Sequence, residues 1–277
     1  MRVRVVTLNV WNTEGESRRH KIINQELRRL KPDFLALQEV IQTPQANTLD
    51  TIMEDLGLHV THQQDIQFVA PPYADRYGGA AVATRWPHKV VEVLDPRMPQ
   101  APDVPWATLA VIVDLGDVGS VLFLGTTAAW RPAAEAARER HAVAISDLDS
   151  RHRQDLPTII AGDLNAGPDA ASIRYLTGRQ SLNGRSICYY DAWEIAGNGK
   201  GDTWTTTNPN AKAGAEHIIG QSSYHRRFDY VLVGSWEAHP KGRAEVLSAE
   251  CVFNRSVDGL WPSDHYGVMV DIEFQRI

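Results

Sequence analysis

Polar residues repeatedly stand where apolar runs of this chain end. Asn9 closes "VRVVTLN", and Glu39 follows "FLALQ". Asp163 and Asn165 end "TIIAGDLN", Asp229 opens "DYVLV", and Asp264 with His265 precedes "YGVMVDIEF". One such break is usually a turn former or a helix cap. Their recurrence supports another reading. If the strand ends meet along one edge, carboxylates, amides and one imidazole converge in a single pocket. Hard oxygen donors suit Mg²⁺ or Mn²⁺ rather than Zn²⁺, and the sequence has neither a His-Glu-x-x-His run nor a cysteine cluster. It also has no Walker loop and no Gly-x-Ser-x-Gly elbow. A Mg²⁺ site with few protein ligands keeps waters and takes substrate oxygens, so phosphate chemistry is the expected use.

Many elements are needed to position such residues. Strands are expected over 2–10, 33–40, 78–86, 89–94, 106–115, 120–127, 157–165, 227–233, 243–253 and 266–274, from alternation or from short apolar runs. Helices are expected over 16–30, where Ile22, Ile23, Leu27 and Leu30 share a face, and over 46–56 and 132–150. Pro132 opens the last of these, where a missing N–H costs nothing. A short helix is expected after Pro168. Strands often follow each other directly, which is not the strict alternation of a nucleotide-binding fold. Two mostly antiparallel sheets with helices outside are therefore expected. The stretch 178–226 reads as either an insertion over a site or a mobile surface loop.

The 277 residues suffice for one large α/β domain over 1–277. No apolar run approaches the length of a membrane span. The start of the chain alternates like a strand and lacks the apolar core of a signal peptide, so a cytoplasmic monomer is expected. Cys188 and Cys251 have no metal or disulfide spacing and read as two buried thiols. The net charge of −6 argues against non-specific binding of duplex DNA, although "YHRRFDY" (224–230) is a candidate basic patch.

The motifs "LNVWN", "LQEV", "GDLN", "FDYVLV" and "SDHYG" resemble, in order and spacing, the endonuclease/exonuclease/phosphatase superfamily. That superfamily includes pancreatic deoxyribonuclease, apurinic endonucleases, sphingomyelinases and inositol polyphosphate phosphatases. The resemblance spans residues 5–271 and implies a four-layer α/β/β/α sandwich. Carried over by position, Glu39 would bind the metal, with Asn9 beside it and Asp264 as a further ligand or a contact behind one. Asp163 would orient or deprotonate the attacking water. Asn165 would hold the phosphate as it becomes trigonal-bipyramidal. Asp229 would hydrogen-bond one ring nitrogen of His265, whose other nitrogen would face the phosphoryl oxygen. Alternation along the last strand would send Asp264 and His265 to opposite sides.

One position departs from the family pattern. Members usually carry a histidine at the end of the strand before the long helix, and aligning "LGTTAAWRP" on Trp130 puts Thr127 there. Three readings follow: an engineered substitution, a natural member using Thr127 only as a hydrogen-bond donor, or His225 filling the gap. Reduced activity is expected before full loss, since a positioned acid typically contributes ~10²–10⁴-fold. "YADRY" (73–77) is similar to a stretch of pancreatic deoxyribonuclease whose acid partners that histidine, making Tyr73 and Asp75 site candidates; an ordinary loop is the alternative. Arg226 and Arg227 read equally as a phosphate clamp or as solvated charges. Trp193, Trp204 and Trp236 read as core or loop anchors, and His59, His62, His141 and His152 as surface or satisfied residues.

The expected activity is Mg²⁺-dependent hydrolysis of a phosphoester, by in-line attack of water. The substrate would be a small molecule or a nucleic acid. An acidic chain without a lysine-rich groove favours the small substrate over long DNA. A nuclease or DNA-repair phosphodiesterase is the second reading within enzymes, and a catalytically silent binding module is the reading from another class.

Overall fold

The structure, a computed structural model, describes residues 1–44, 46–66, 78–97, 104 and 106–277. In chain order its strands are β1 (Arg2–Asn9), β2 (Phe34–Val40), β3 (His59–His62), β4 (Gly79–Thr84), β5 (His88–Leu94), β6 (Thr108–Asp114) and β7 (Ser120–Thr127). They continue with β8 (Ile159–Asp163), β9 (Tyr189–Asp191), β10 (Trp204–Thr205), β11 (His225–Arg226), β12 (Asp229–Gly234), β13 (Gly242–Val252) and β14 (Gly267–Arg276). The α-helices are α1 (Arg19–Leu30), α2 (Thr48–Met53), α3 (Glu135–His152), α4 (Ala171–Leu176), α5 (Ala192–Ala196) and α6 (Pro209–Gly214).

Two six-stranded sheets carry the fold, in the orders β13-β14-β1-β2-β4-β3 and β5-β6-β7-β8-β12-β9. Each contains a single parallel pair, β1 with β2 and β7 with β8, and is otherwise antiparallel. Alternation sorts the apolar residues into layers. Val3, Val5, Phe34, Phe123, Ile159, Val231, Val270 and Ile272 fill the space between the sheets. Val6, Leu8, Leu35 and Leu37 face the other way and bury Ile23, Leu27 and Leu30 of α1. Leu122, Leu124, Ile160 and Leu232 do the same for Ala142, Ile145 and Leu148 of α3. The result is the α/β/β/α sandwich.

The expected elements are present, with shifted ends. Helix α1 starts at Arg19 rather than residue 16, and Ile22 is only half-buried; Asn24 takes its place, donating to the carbonyls of Ile52 and Glu54. Helix α3 starts at Glu135, so Pro132 lies in the turn ahead of it. The stretch 178–226 is not a bare loop: it contributes β9, β10, α5, α6, a π-helical turn and β11. No helix among the described residues is long and apolar enough to cross a membrane.

Candidate active site

The polar residues collect where the chain leaves β1, β2, β7 and β8 and enters β12, all at one end of the sandwich. Alternation alone explains much of this. On β7, β8 and β12 the odd-numbered residues face the interior between the sheets. Thr127 lies opposite Asp163 across β7–β8, and Asp229 lies opposite Asp163 across β8–β12. The three side chains therefore form one row on the inner face. On β1 the odd residues Val3 and Val5 also face inward, which sends Asn9 the same way.

Glu39 breaks this rule. Its neighbours Phe34 and Ala36 point inward and Leu35 and Leu37 outward, so strict alternation would aim Glu39 at the helical layer. A register shift between Leu37 and Val40 and a left-handed φ of 57° at Glu39 turn it back. Bulges commonly re-aim a side chain in this way. Gly78 makes the turn possible. Its φ is +71°, and a β-carbon there would lie 2.6 Å from the carbonyl carbon of Glu39. Asn165 is also left-handed, at 49°. Such strain concentrates at functional positions.

The re-aimed carboxylate is held by two amides. Asn9 Nδ2 donates to Glu39 Oε1 at 3.1 Å, and Asn12 Nδ2 to Oε2 at 2.9 Å. Asn9 Nδ2 also reaches Asp163 Oδ2 at 3.1 Å, while its Oδ1 accepts from the Trp11 N–H. Asn9 thus spaces two carboxylates with its NH₂ group, and its oxygen is turned away from them. Asp163 Oδ1 accepts from the Asn165 N–H at 2.9 Å, and its Oδ2 takes Asn165 Nδ2 at 3.1 Å.

His265 Nδ1 meets Asp229 Oδ2 at 2.9 Å, the pairing expected from the motifs. Its Nε2 lies 3.9 Å from Asp163 Oδ2. Asp229 is the first residue of β12, whereas His265 lies ahead of β14 and bridges to Trp204 of β10. Strand β14 begins only at Gly267, so alternation does not separate Asp264 from His265. The segment 263–266 is instead pinned by neighbours. Ser263 Oγ donates to Asn9 O and accepts from the His265 N–H, and Asn208 Nδ2 holds the carbonyls of Ser263 and Asp264. Trp204 Nε1 donates to Asp264 Oδ2 at 3.2 Å, and Tyr266 N–H donates to Thr203 O. Residues 203–208 of the stretch between β9 and β12 therefore lie against the site.

Burial and charge set the protonation. Burial, reinforced by the charge of Asp264, pushes Glu39 up to about 7. Burial also pushes Asp163 up to about 7, with Asp229 adding to the rise and His265 opposing it. For His265 burial acts downward, but Asp229, Asp264 and Asp163 together hold it well above its ordinary value, as an imidazolium. Asp163, Asp229 and His265 each place a ligand atom within 4.8 Å of the others. Nδ1 of His265 is engaged by Asp229 and its Nε2 faces Asp163, an arrangement that can hold and pass a proton as well as take an ion. Glu39 and Asp264, whose charge opposes the ionisation of Glu39, are two further carboxylates that could hold a hard divalent ion.

Other expectations change. Arg227 is buried, 2.5 Å from Asp191 Oδ2 and stacked over Tyr230, so it is a structural ion pair rather than a phosphate clamp. Arg226 is exposed on β11, over the Tyr224 ring. His225 engages Thr205 and Ser223 and does not fill the place of the absent histidine. Thr127 is fully buried, and its Oγ1 has no hydrogen-bond partner. Its neighbour Thr126 binds Thr108, which reaches His141, a neutral and satisfied residue pushed down to about 4 by burial. Tyr73 and Asp75 lie outside the described residues. Trp193 and Trp204 are buried anchors, but Trp236 is 65% exposed. Both cysteines are half-buried, and burial pushes the Cys251 thiol up to about 12.

In the sequence, Asn12, Ser263, Asn208 and Arg19 received no site role, and Trp204 read only as an anchor. Asn12 stood in plain view as the last residue of "LNVWN" and Ser263 as the first of "SDHYG"; Asn208 and Arg19 carry no local signal.

No curated protein matches the chain in sequence. Among solved structures, a humanized zebrafish (D. rerio) TDP2 with 14 mutations superposes with a TM-score of 0.72 at 17% identity, over 98% of this chain and 99% of that one. Zebrafish TDP2 complexed with a single-strand DNA product gives 0.70 at 16% identity, over 98% and 99%. An endonuclease/exonuclease/phosphatase from Bacteroides vulgatus gives 0.70 at 16%, over 99% and 100%. These likenesses establish the fold. A sequence model of the family matches residues 6–265, and the chain therefore belongs to the endonuclease/exonuclease/phosphatase family.

Proposed function

We propose that the protein is a Mg²⁺- or Mn²⁺-dependent hydrolase of phosphoesters that works by in-line attack of water. Family membership supports phosphoester hydrolysis. The observation that carries the reading is the division of the site into two sides. Glu39, with Asp264, would hold the ion, while Asp229, His265 and Asp163 form a proton-handling row. A divalent ion bound there would offset charge developing on the phosphoryl oxygens. Asn9 and Asn12 keep the Glu39 carboxylate in place. Asp163, at about 7, is matched to taking a proton from water near neutral pH. His265 is fixed through Nδ1 by Asp229, and its Nε2–H is the donor for a non-bridging oxygen. Asn165 supplies an amide beside the same carboxylate.

Hydrolysis of bis-p-nitrophenyl phosphate tests this. Mg²⁺-dependent turnover that EDTA abolishes and His265→Ala depresses is expected. Absence of metal-dependent turnover in the intact chain overturns the enzyme reading and leaves the binding module.

A nucleic-acid substrate is the second reading. Trp204, Tyr224 and Phe228 pack as an aromatic cluster, Trp204 lies 6.5 Å from the His265 ring, and Arg226 covers Tyr224. The zebrafish TDP2 structure holds a single-strand DNA product. Affinity for DNA that falls steeply with salt would favour it.

A further inference from the structure

Arg19 stands in the first turn of α1, on no strand end, and is completely buried, which is rare for a guanidinium. Its five N–H groups meet five backbone carbonyls. Nε donates to Glu14 O at 2.7 Å, and Nη2 to Trp11 O at 2.7 Å and Asn12 O at 2.6 Å. Nη1 donates to Val10 O and to Pro262 O, the latter at 3.2 Å. The Trp11 ring lies against the guanidinium, with its centroid 5.3 Å away. Four of the carbonyls belong to the connection between β1 and α1. The fifth comes from a segment 243 residues further on.

Carbonyl oxygens gathered around one point repel one another unless a cation sits among them. The backbone here is also strained, because Trp11 and Asn12 have φ of 57° and 36°. Left-handed non-glycine residues persist only when their surroundings enforce them. Two arms of the site extend from the gathered carbonyls. Asn12 reaches Glu39 Oε2 at 2.9 Å. On the other side, Pro262 is followed by Ser263, which binds Asn9 O at 2.6 Å and receives the His265 N–H, and then by Asp264.

We propose that Arg19 is a positioning residue for the site: one guanidinium ties the Asn12–Glu39 arm to the Asp264–His265 arm through backbone carbonyls of both. The effect on metal binding and rate rests on the proposed hydrolytic function, whereas the tether itself does not. Lysine keeps the charge, but it is a point cation with three donors and no planar fork, so it cannot reproduce five divergent contacts.

The test compares Arg19→Lys with the unaltered chain. Under deuterium exchange, peptides covering 10–14 and 262–265 are expected to exchange faster together, with β5 and β6 unchanged. Mg²⁺ affinity by calorimetry is expected to fall about 10–100-fold, the range for contacts one shell behind a ligand. Turnover at saturating Mg²⁺ falls as well, with KM less affected. Faster exchange in 10–14 alone, or full restoration of Mg²⁺ binding by lysine, overturns the proposal. Should Arg19→Lys fail to fold, exchange of the unaltered chain in sub-denaturing urea decides: opening of 10–14 and 262–265 in one step with a common urea dependence supports the tether, and separate openings refute it. An unaltered chain that neither binds Mg²⁺ nor hydrolyses phosphodiesters refutes the proposed function, while the exchange comparison still decides the role of Arg19.

Discussion

Replacing Glu39 with glutamine is expected to stabilise the metal-free protein while abolishing its response to Mg²⁺. The carboxyl group rises from 4.5 to about 7 on folding, chiefly through burial and then through the charge of Asp264. Below about pH 4.5 it is protonated in both the folded and unfolded states and has no effect. Between 4.5 and 7 unfolding releases a proton, so stability falls as pH rises. Above 7 the full cost is present, about 3 kcal/mol at ~1.4 kcal/mol per pH unit. Glutamine never ionises and removes that cost. It also brings a loss, because Asn9 and Asn12 both donate to the carboxylate and an amide offers only one oxygen. One lost hydrogen bond is worth about 1 kcal/mol. The net gain at pH 8 is about 2 kcal/mol, which for a chain of this length is a rise of about 4 °C in Tm. At pH 5 the gain is near zero. The assay is scanning calorimetry in EDTA at both pH values, repeated with excess Mg²⁺. Binding to the folded state alone stabilises in proportion to RT ln(1 + [L]/Kd), so the unaltered protein should climb with Mg²⁺ and the variant should stay level. A variant less stable than the unaltered protein at pH 8 without metal, or equally stabilised by Mg²⁺, refutes the assignment of Glu39.

Asp229→Ala and His265→Ala should each remove most of the rate, and the double variant little more, because the 2.9 Å pair acts as a unit; strictly multiplicative losses in kcat/KM contradict this. Thr127→His should raise kcat roughly tenfold to a hundredfold, the worth of one added charge-assisted hydrogen bond if it forms only in the transition state. A level or lower rate, with the fold intact by circular dichroism, would make the buried threonine a native adaptation. Gly78→Ala should displace Glu39, since the new β-carbon would lie 2.6 Å from its carbonyl carbon at a φ of +71°. Weaker Mg²⁺ binding by calorimetry and a stability loss of about 1–3 kcal/mol are expected, and unchanged Mg²⁺ affinity contradicts the role given to the bulge.

The strands were legible because β-branched and apolar residues alternate along them, and the acids that end them were legible as interruptions. What alternation does not encode is which strands share a sheet. Asp229 opens β12, but His265 lies in the segment ahead of β14, a strand of the other sheet, and their 2.9 Å contact is not written in either periodicity. The orientation of Glu39 depends on a bulge and on Gly78, 39 residues away in sequence, and no periodicity records that. Two arginines misled in the same direction. Arg227 sits in a basic run and reads as solvated or substrate-facing, yet it is buried against Asp191. Arg19 stands in "ESRRHK", a stretch that looks like a solvent-facing helix start, and only the tertiary fold shows that it is enclosed.

The pairing of β1 with β14 ties this protein's folding to the pace of its synthesis. Arg2 lies opposite Glu273 and Thr7 opposite Val268. A ribosome adding ~5–20 residues per second needs about 15–50 s to go from one strand to the other. Until then β1 can pair on one side only, with β2, and offers an open edge of the kind that invites association between chains. His265 also emerges late, long after Glu39 and Asp163, so hydrolytic capacity should appear in one step, when the edge closes, and not build up gradually as the chain grows.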